Sequence, residues 1–168
     1  MSKFYETSVA DLRIRIAEVG DTPLILEFIK DLAEYEGMLN AVVATEEQLK
    51  ETLFEKKQAE VIIGEYKGEP VGFALFFHNY STFLGKANLF LEDLYVKPKA
   101  RGTGTGKALL ACLAKIAVEQ GCGRLEWWCL DWNEPSIRFY KQMGATPMED
   151  WTTYRVDGNA LPALAARL

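Results

Sequence analysis

Apolar and polar residues alternate over 12–17, with Leu12, Ile14 and Ile16 on one side and Arg13 and Arg15 on the other, the period of a half-buried strand. The period then lengthens. Leu24, Ile25, Phe28, Ile29 and Leu32 recur at helical spacing behind Asp21-Thr22-Pro23, where an oxygen-bearing side chain precedes a proline preset for the first turn. Thr45 and Gln48 have capping-box spacing, which predicts a second helix running to about Phe54. Strands are predicted over 60–66 and 71–78, joined by a hairpin turn at Lys67-Gly68-Glu69, and over 89–96. Three glycines, Gly102, Gly104 and Gly106, lead into an alanine- and leucine-rich helix that ends near Gln120 with Gly121 as its C-cap. A tryptophan-rich strand over 124–130, a helix over 135–143 stopped by Gly144, a last strand over 151–156 and a terminal amphipathic helix carrying Leu161, Leu164 and Leu168 complete the pattern.

Strand, helices, three strands, helix, strand, helix, strand is the order of an α/β domain with a mixed sheet. No repeat, linker or low-complexity tract interrupts it. We expect an N-terminal extension over 1–11 and a single domain over 12–168. The balance of 49% hydrophobic and 26% charged residues is that of a globular chain. The net charge of −5 argues against a nucleic-acid partner, which needs a basic face, and suits a cationic one. Cys112, Cys122 and Cys129 contain no C-x-x-C pair, so neither a disulfide scaffold nor a zinc ribbon is expected. His78 is the sole histidine and no G-x-S-x-G elbow is present, which argues against a serine triad and against a metal centre. The first residues lack a signal-peptide core, and no stretch approaches the roughly 20 apolar residues of a membrane helix. A cytoplasmic protein is the expectation.

The most informative segment is Arg101-Gly102-Thr103-Gly104-Thr105-Gly106-Lys107. Glycines allow positive φ and close approach of a ligand, and a helix start offers unpaired N–H groups at the positive end of its dipole. Such a turn takes a phosphate or pyrophosphate, although a plain strand–helix turn uses the same glycines. A Walker A loop is excluded, because three residues rather than four separate Gly102 from Gly106 and Ala108 follows the lysine. The dinucleotide fingerprint G-x-G-x-x-G is not met either.

Arg-Gly-x-Gly-x-Gly after the extended run Leu91-Glu92-Asp93-Leu94-Tyr95-Val96 resembles the acyl-CoA motif of the GNAT N-acetyltransferases. A second segment, Asn133-Glu134-Pro135-Ser136-Ile137-Arg138-Phe139-Tyr140-Lys141, is similar to the family's late motif. With Leu32-Ala33-Glu34-Tyr35-Glu36, the two look most like the diamine (spermidine/spermine) and thialysine acetyltransferases. The resemblance runs from about Leu12 to the C-terminus. It implies the GNAT acyl-CoA N-acyltransferase fold: a mixed, mostly antiparallel sheet of about six or seven strands, splayed at the cofactor cleft and flanked by helices. It implies direct acetyl transfer from acetyl-CoA to a small, cationic primary amine, with no metal, in a homodimer. Leu94, Tyr95 and Val96 would run along the pantetheine arm; Arg101, Gly102, Thr103, Gly104, Thr105, Gly106 and Lys107 would hold the pyrophosphate; Asn133 and Ser136 would reach the arm's other side, though Asn133 also suits a plain N-cap before Pro135.

An alkyl ammonium has a pKa of about 10.4, so the reaction needs a proton acceptor. Glu92 is the leading candidate. As strand neighbours, Glu92 and Asp93 are expected to point to opposite faces, one of them toward the cleft. Tyr140 matches the family's phenolic acid, which would protonate the departing thiolate. Tyr35 and Glu36, with Glu92 and Asp93, would form an acidic amine pocket. Gly37 departs from the diamine pattern, which tends to carry a bulkier residue there, and so bears on the identity of the amine. Two other readings share the fold: an N-acetyltransferase for peptides or proteins, and a non-catalytic acyl-CoA-binding module.

Overall fold

The computed structural model describes residues 3–168. It divides into two compact units, one ending at Trp128 and one spanning Cys129–Leu168. In chain order the first unit contains β1 (Phe4–Glu6), β2 (Leu12–Ile16), α1 (Thr22–Tyr35), α2 (Glu46–Leu49) continuing into a π-helical turn at Lys50–Glu55, β3 (Glu60–Tyr66), β4 (Glu69–Ser81), β5 (Lys86–Val96), α3 (Thr105–Glu119) and β6 (Leu125–Trp127). The strands form one sheet in the order β1-β2-β3-β4-β5-β6, antiparallel except for the parallel β5–β6 pair. The mixed, mostly antiparallel sheet is therefore six-stranded, and residues of the expected N-terminal extension supply its edge strand β1, paired with β2.

Helix α1 covers one face. Phe28 stacks on Phe73 with ring centroids 5.2 Å apart and lies 6.0 Å from Tyr95. Ile25, Leu53, Val61, Ile63 and Leu75 close the same core. Asp21 precedes the helix, but its side chain makes no cap bond. Its carboxylate instead takes two bonds from Arg15, at 2.7 and 2.8 Å, and Arg15 Nε donates to Glu65 at 2.6 Å. The guanidinium holds the Asp21 carboxyl below the usual carboxylate range. This bidentate pair ties the start of α1 to β2.

Helix α3 lies on the opposite face, over the cross-strand glycine pair Gly64 and Gly72. A Cβ on Gly72 would come within 2.6 Å of the Tyr95 carbonyl, and one on Gly64 would meet Thr105 Cγ2 at 3.6 Å and Leu109 at 3.7 Å. These two glycines let the first turn of α3 press against the sheet. The β3–β4 hairpin turns on Lys67 (φ 51°) and Gly68 (φ 81°), both in the left-handed region, as a two-residue primed turn requires.

The second unit contains α4 (Glu134–Gln142) and α5 (Ala160–Ala165). The strand expected over 151–156 is not formed. The alternation is present, but a strand exists only with a hydrogen-bonded neighbour, and none pairs with it among the described residues. Trp151 is 77% and Tyr154 93% exposed. The strand expected over 124–130 is likewise shorter, ending at Trp127.

Candidate active site

Strand β5 is the axis of the site. Its pairing with β4 shifts register: Leu75 faces Asp93 and Phe76 faces Leu91, so Glu92 is an extra residue with no partner opposite. This is a β-bulge, which bends the strand and breaks its strict alternation. The expected separation of Glu92 and Asp93 onto opposite faces therefore does not follow from parity. Asp93 keeps the parity of Tyr95, two residues on, whose ring packs on Phe28, and so lies on the α1 face. On its other side β5 pairs with β6 only through Leu89, Phe90 and Leu91. From Glu92 to Val96 that edge carries no strand among the described residues, so the sheet opens there.

The end of α1 reaches the same place. Gly37 adopts φ 71°, with Met38 N–H donating to Ala33 O at 2.7 Å and Gly37 N–H to Glu34 O at 3.0 Å, the double bond of a Schellman C-cap. A glycine is needed in that left-handed position, which accounts for Gly37 and sets Glu36 as the last helical cap residue. Glu36 is half-buried and its carboxyl is raised by desolvation. Asp93 is pushed up to about 6, first by burial and then by the charges of Glu92 and Glu36. Glu36, Glu92 and Asp93 thus form one acidic group beside the open edge.

Past β5 the chain turns through Pro98–Ala100 into the glycine segment. Gly102 (φ 77°) and Gly104 (φ 91°) both lie in the left-handed region, and Gly104 caps α3. Among the described residues no well-formed hydrogen bond runs from the backbone N–H groups of 102–107 to a backbone acceptor; the first helical bond is Ala108 N–H to Gly104 O at 2.9 Å. Thr103 Oγ1 donates to the Ala100 carbonyl and lies 3.0 Å from the Thr105 hydroxyl, which fixes the turn internally. Val9, in the β1–β2 connection, buttresses it from outside, since a Cβ on Gly104 would meet Val9 Cγ2 at 3.1 Å. An unpaired strand edge leading to a row of free amides at a helix start fits an extended thioester that carries a diphosphate.

The profile of the Acetyltransferase (GNAT) family matches residues 27–145. The chain belongs to this family. Thialysine N-epsilon-acetyltransferase of Sus scrofa is 37% identical over 171 residues, covering 95% of this chain and 100% of that one. L-ornithine N5-acetyltransferase NATA1 of Arabidopsis thaliana is 32% identical over 198 residues, covering 90% and 87%. Among solved structures, an integron cassette protein of V. cholerae superposes with a TM-score of 0.76 at 28% identity, covering 92% of this chain and 98% of that one. The chain is a GNAT N-acetyltransferase, with the family's mixed α/β fold.

Against that background, Arg101 has contacts the sequence did not reveal. Its guanidinium lies over the rings of Tyr35, at 5.2 Å, and Tyr95, at 5.7 Å, while Nε donates to the Val96 carbonyl at 3.0 Å. One side chain from the glycine segment thus touches both the end of α1 and the open edge of β5. Two further sequence-predicted residues of β5, Leu94 and Val96, are half-buried, and Tyr95 is buried in the core. Lys107, in the first turn of α3, is exposed, and Asn133, Ser136 and Tyr140 belong to the second unit. Asn133 caps α4, its carbonyl oxygen accepting from Ser136 N–H at 3.4 Å, and is buried. Tyr140 lies near the end of α4, its ring 5.4 Å from that of Phe139. Among the described residues no group of three His, Cys, Asp or Glu side chains is placed to hold a metal ion, and no helix is long and apolar enough to cross a membrane.

Proposed function

We propose that the protein transfers an acetyl group from acetyl-CoA to a small primary amine of the diamine, polyamine or lysine-analogue type. The observation that carries this reading is the open edge of β5 between the free amides of 102–107 and the acidic group of Glu36, Glu92 and Asp93. The relatives that act on thialysine and on L-ornithine support the choice of a small amine.

Bound acetyl-CoA supplies a thioester whose carbonyl carbon the amine attacks. The chain's own groups do the rest. Arg101, Lys107 and the amides of Gly102, Thr103, Gly104, Thr105, Gly106 and Lys107 offset the diphosphate charge, and the backbone of Leu94, Tyr95 and Val96 orients the arm. Tyr35, Glu36, Glu92 and Asp93 attract the cation, and a carboxylate takes its proton. The family resemblance gives Tyr140 the return of a proton to the departing thiolate, and gives Asn133 and Ser136 contacts to the arm. No covalent acyl-enzyme and no metal take part.

A thiol-release assay with acetyl-CoA and a panel of thialysine, ornithine, spermidine and a lysine peptide tests this. Turnover with the small amines is expected. Turnover with the peptide alone would make the protein a peptide acetyltransferase, and cofactor binding without turnover would make it an acyl-CoA-binding module. We also read the protein as a cytoplasmic homodimer that engages neither nucleic acid nor membrane; the net charge of −5 supports the last two points, and light scattering checks the dimer.

A further inference from the structure

Arg101 begins the glycine segment, yet its side chain runs back over the end of β5 to the end of α1. Lys97 N–H donates to Val71 O on β4 at 2.7 Å, so the Val96 carbonyl, in the same trans peptide, points the other way, toward the open edge. Arg101 Nε donates to that carbonyl at 3.0 Å. Its guanidinium then lies over two rings in unlike settings. Tyr95, at 5.7 Å, is buried and packed on Phe28, whereas Tyr35, at 5.2 Å, is 43% exposed on the last turn of α1. One residue past β5, Lys97 makes a similar contact earlier on the same helix, with Nζ 5.6 Å from the Phe28 ring and 3.9 Å from Glu27.

The structure assigns Arg101 a task on the amine side: it is a positioning residue that holds the Tyr35 ring, and the adjoining Glu36, against the cofactor edge of β5. This rests on the acetyltransferase reading above and names a residue that sets its amine pocket. The charge of Arg101 still adds to the field at the glycine turn; the contacts add a hold on Tyr35.

A ring as exposed as Tyr35 takes little direction from core packing, and fixing it only when a substrate arrives costs conformational entropy. Stacking on a guanidinium that is itself anchored to a backbone carbonyl and a buried ring removes that freedom beforehand. The contact needs an arginine. A planar guanidinium offers its face to the rings while Nε, in its plane, donates sideways to Val96. A lysine ammonium would keep the positive charge beside the glycine turn but cannot do both at once. The group that takes the Val96 carbonyl at the open edge therefore also orients the amine pocket.

Arg101→Lys separates the two tasks. In the full-length protein, KM for thialysine and for ornithine should rise about two- to fivefold, while kcat and the acetyl-CoA affinity measured by calorimetry change less than about twofold. In a Tyr35→Leu background the same substitution should add nothing to KM, because the ring it acts through is gone. An amine KM that does not rise, an acetyl-CoA affinity that falls at least as far, or an equal rise with and without Tyr35 overturns the assignment and leaves the acetyltransferase reading in place. A wild-type chain that turns over no amine defeats that reading, and NMR of the ligand-free protein then decides the clamp. There the Arg101 Nε–H signal should be protected from exchange and shifted by the rings, and Tyr35→Leu should move it toward its ordinary position. A signal that Tyr35→Leu leaves unmoved overturns the proposal whatever the acceptor.

Discussion

Replacing Asp93 by asparagine should make the protein more stable at alkaline pH and leave it little changed in acid. The Asp93 carboxyl ionises at about 6 in the folded chain against 3.8 as its ordinary value. An acid raised in this way stays protonated in the native state over a range where the unfolded chain has already released its proton. Stability therefore falls as pH climbs from about 4 to about 6, and the loss persists above. With 1.36 kcal/mol per pKa unit, the full loss is ~3 kcal/mol at pH 8, shrinking to ~0.5 kcal/mol at pH 4. Partial solvent contact and the new amide's own hydrogen-bonding needs reduce the gain to about 1–3 kcal/mol at pH 8. For a chain of this size that is a rise in melting temperature of roughly 2–10 °C. Urea unfolding of both proteins at pH 8 and pH 4 measures it. An equal difference at the two pH values, or a less stable variant at pH 8, would refute the reasoning, because neither outcome is compatible with a desolvated and repelled carboxylate.

Gly104→Ala should cost about 1–2 kcal/mol, since φ 91° is strained for alanine and the new Cβ meets Val9 at 3.1 Å, and should weaken acetyl-CoA binding about tenfold or more; thermal melts and calorimetry read the two effects. Tyr140→Phe should slow turnover by roughly 10²-fold with acetyl-CoA affinity nearly unchanged, and an equal loss in both would mark Tyr140 as a binding residue. Asp21→Asn should lower stability at neutral pH by about 1–3 kcal/mol by unmaking the bidentate Arg15 pair. Because the Asp21 carboxyl is depressed, that stabilisation is present above about pH 4 and is lost as pH falls through the folded value, so the two proteins should converge in acid.

Most of the fold could be read from the sequence because its elements rest on local rules. The alternation over 12–17, the stripe from Leu24 to Leu32 and the capping box at Thr45 each appear as the predicted element, the last with both of its hydrogen bonds. The glycine turn was legible because positive φ at Gly102 and Gly104 admits few other residues. What stayed hidden depends on partners far away in the chain. Nothing in Trp151-Thr152-Thr153-Tyr154 shows that its alternation lacks a neighbouring strand. The cation-π contact of Arg101 with Tyr35 joins residues more than sixty positions apart, and the bulge at Glu92 is set by the pairing of β5 with β4. A run such as Leu-Phe-Leu-Glu-Asp-Leu-Tyr-Val has no internal mark of an extra residue. Gly37 read as a departure from the diamine pattern; in three dimensions it is the left-handed residue of a helix cap, and it fixes where Glu36 lies.

The same bulge accounts for both halves of the site. Trp128-Cys129-Leu130 has the composition to continue β6, yet the ladder with β5 ends at Leu91 and Trp127, one residue before Glu92. A bulge bends its strand and can terminate pairing on the far edge. Ending the ladder leaves the backbone of β5 beyond Leu91 without a strand partner on that edge among the described residues, where water or a ligand can take its hydrogen bonds. The six N–H groups of 102–107 are left in the same condition a few residues later, by glycine turns instead of a bulge. Beyond the inserted residue the regular pairing resumes with Asp93 opposite Leu75, which sets Asp93 against α1 while Glu92 stays in water. On the acetyltransferase reading proposed above, the bulge stands where the edge for the thioester would begin and beside the acidic group of Glu36, Glu92 and Asp93, so the cofactor arm and the amine pocket would both be set by one irregularity.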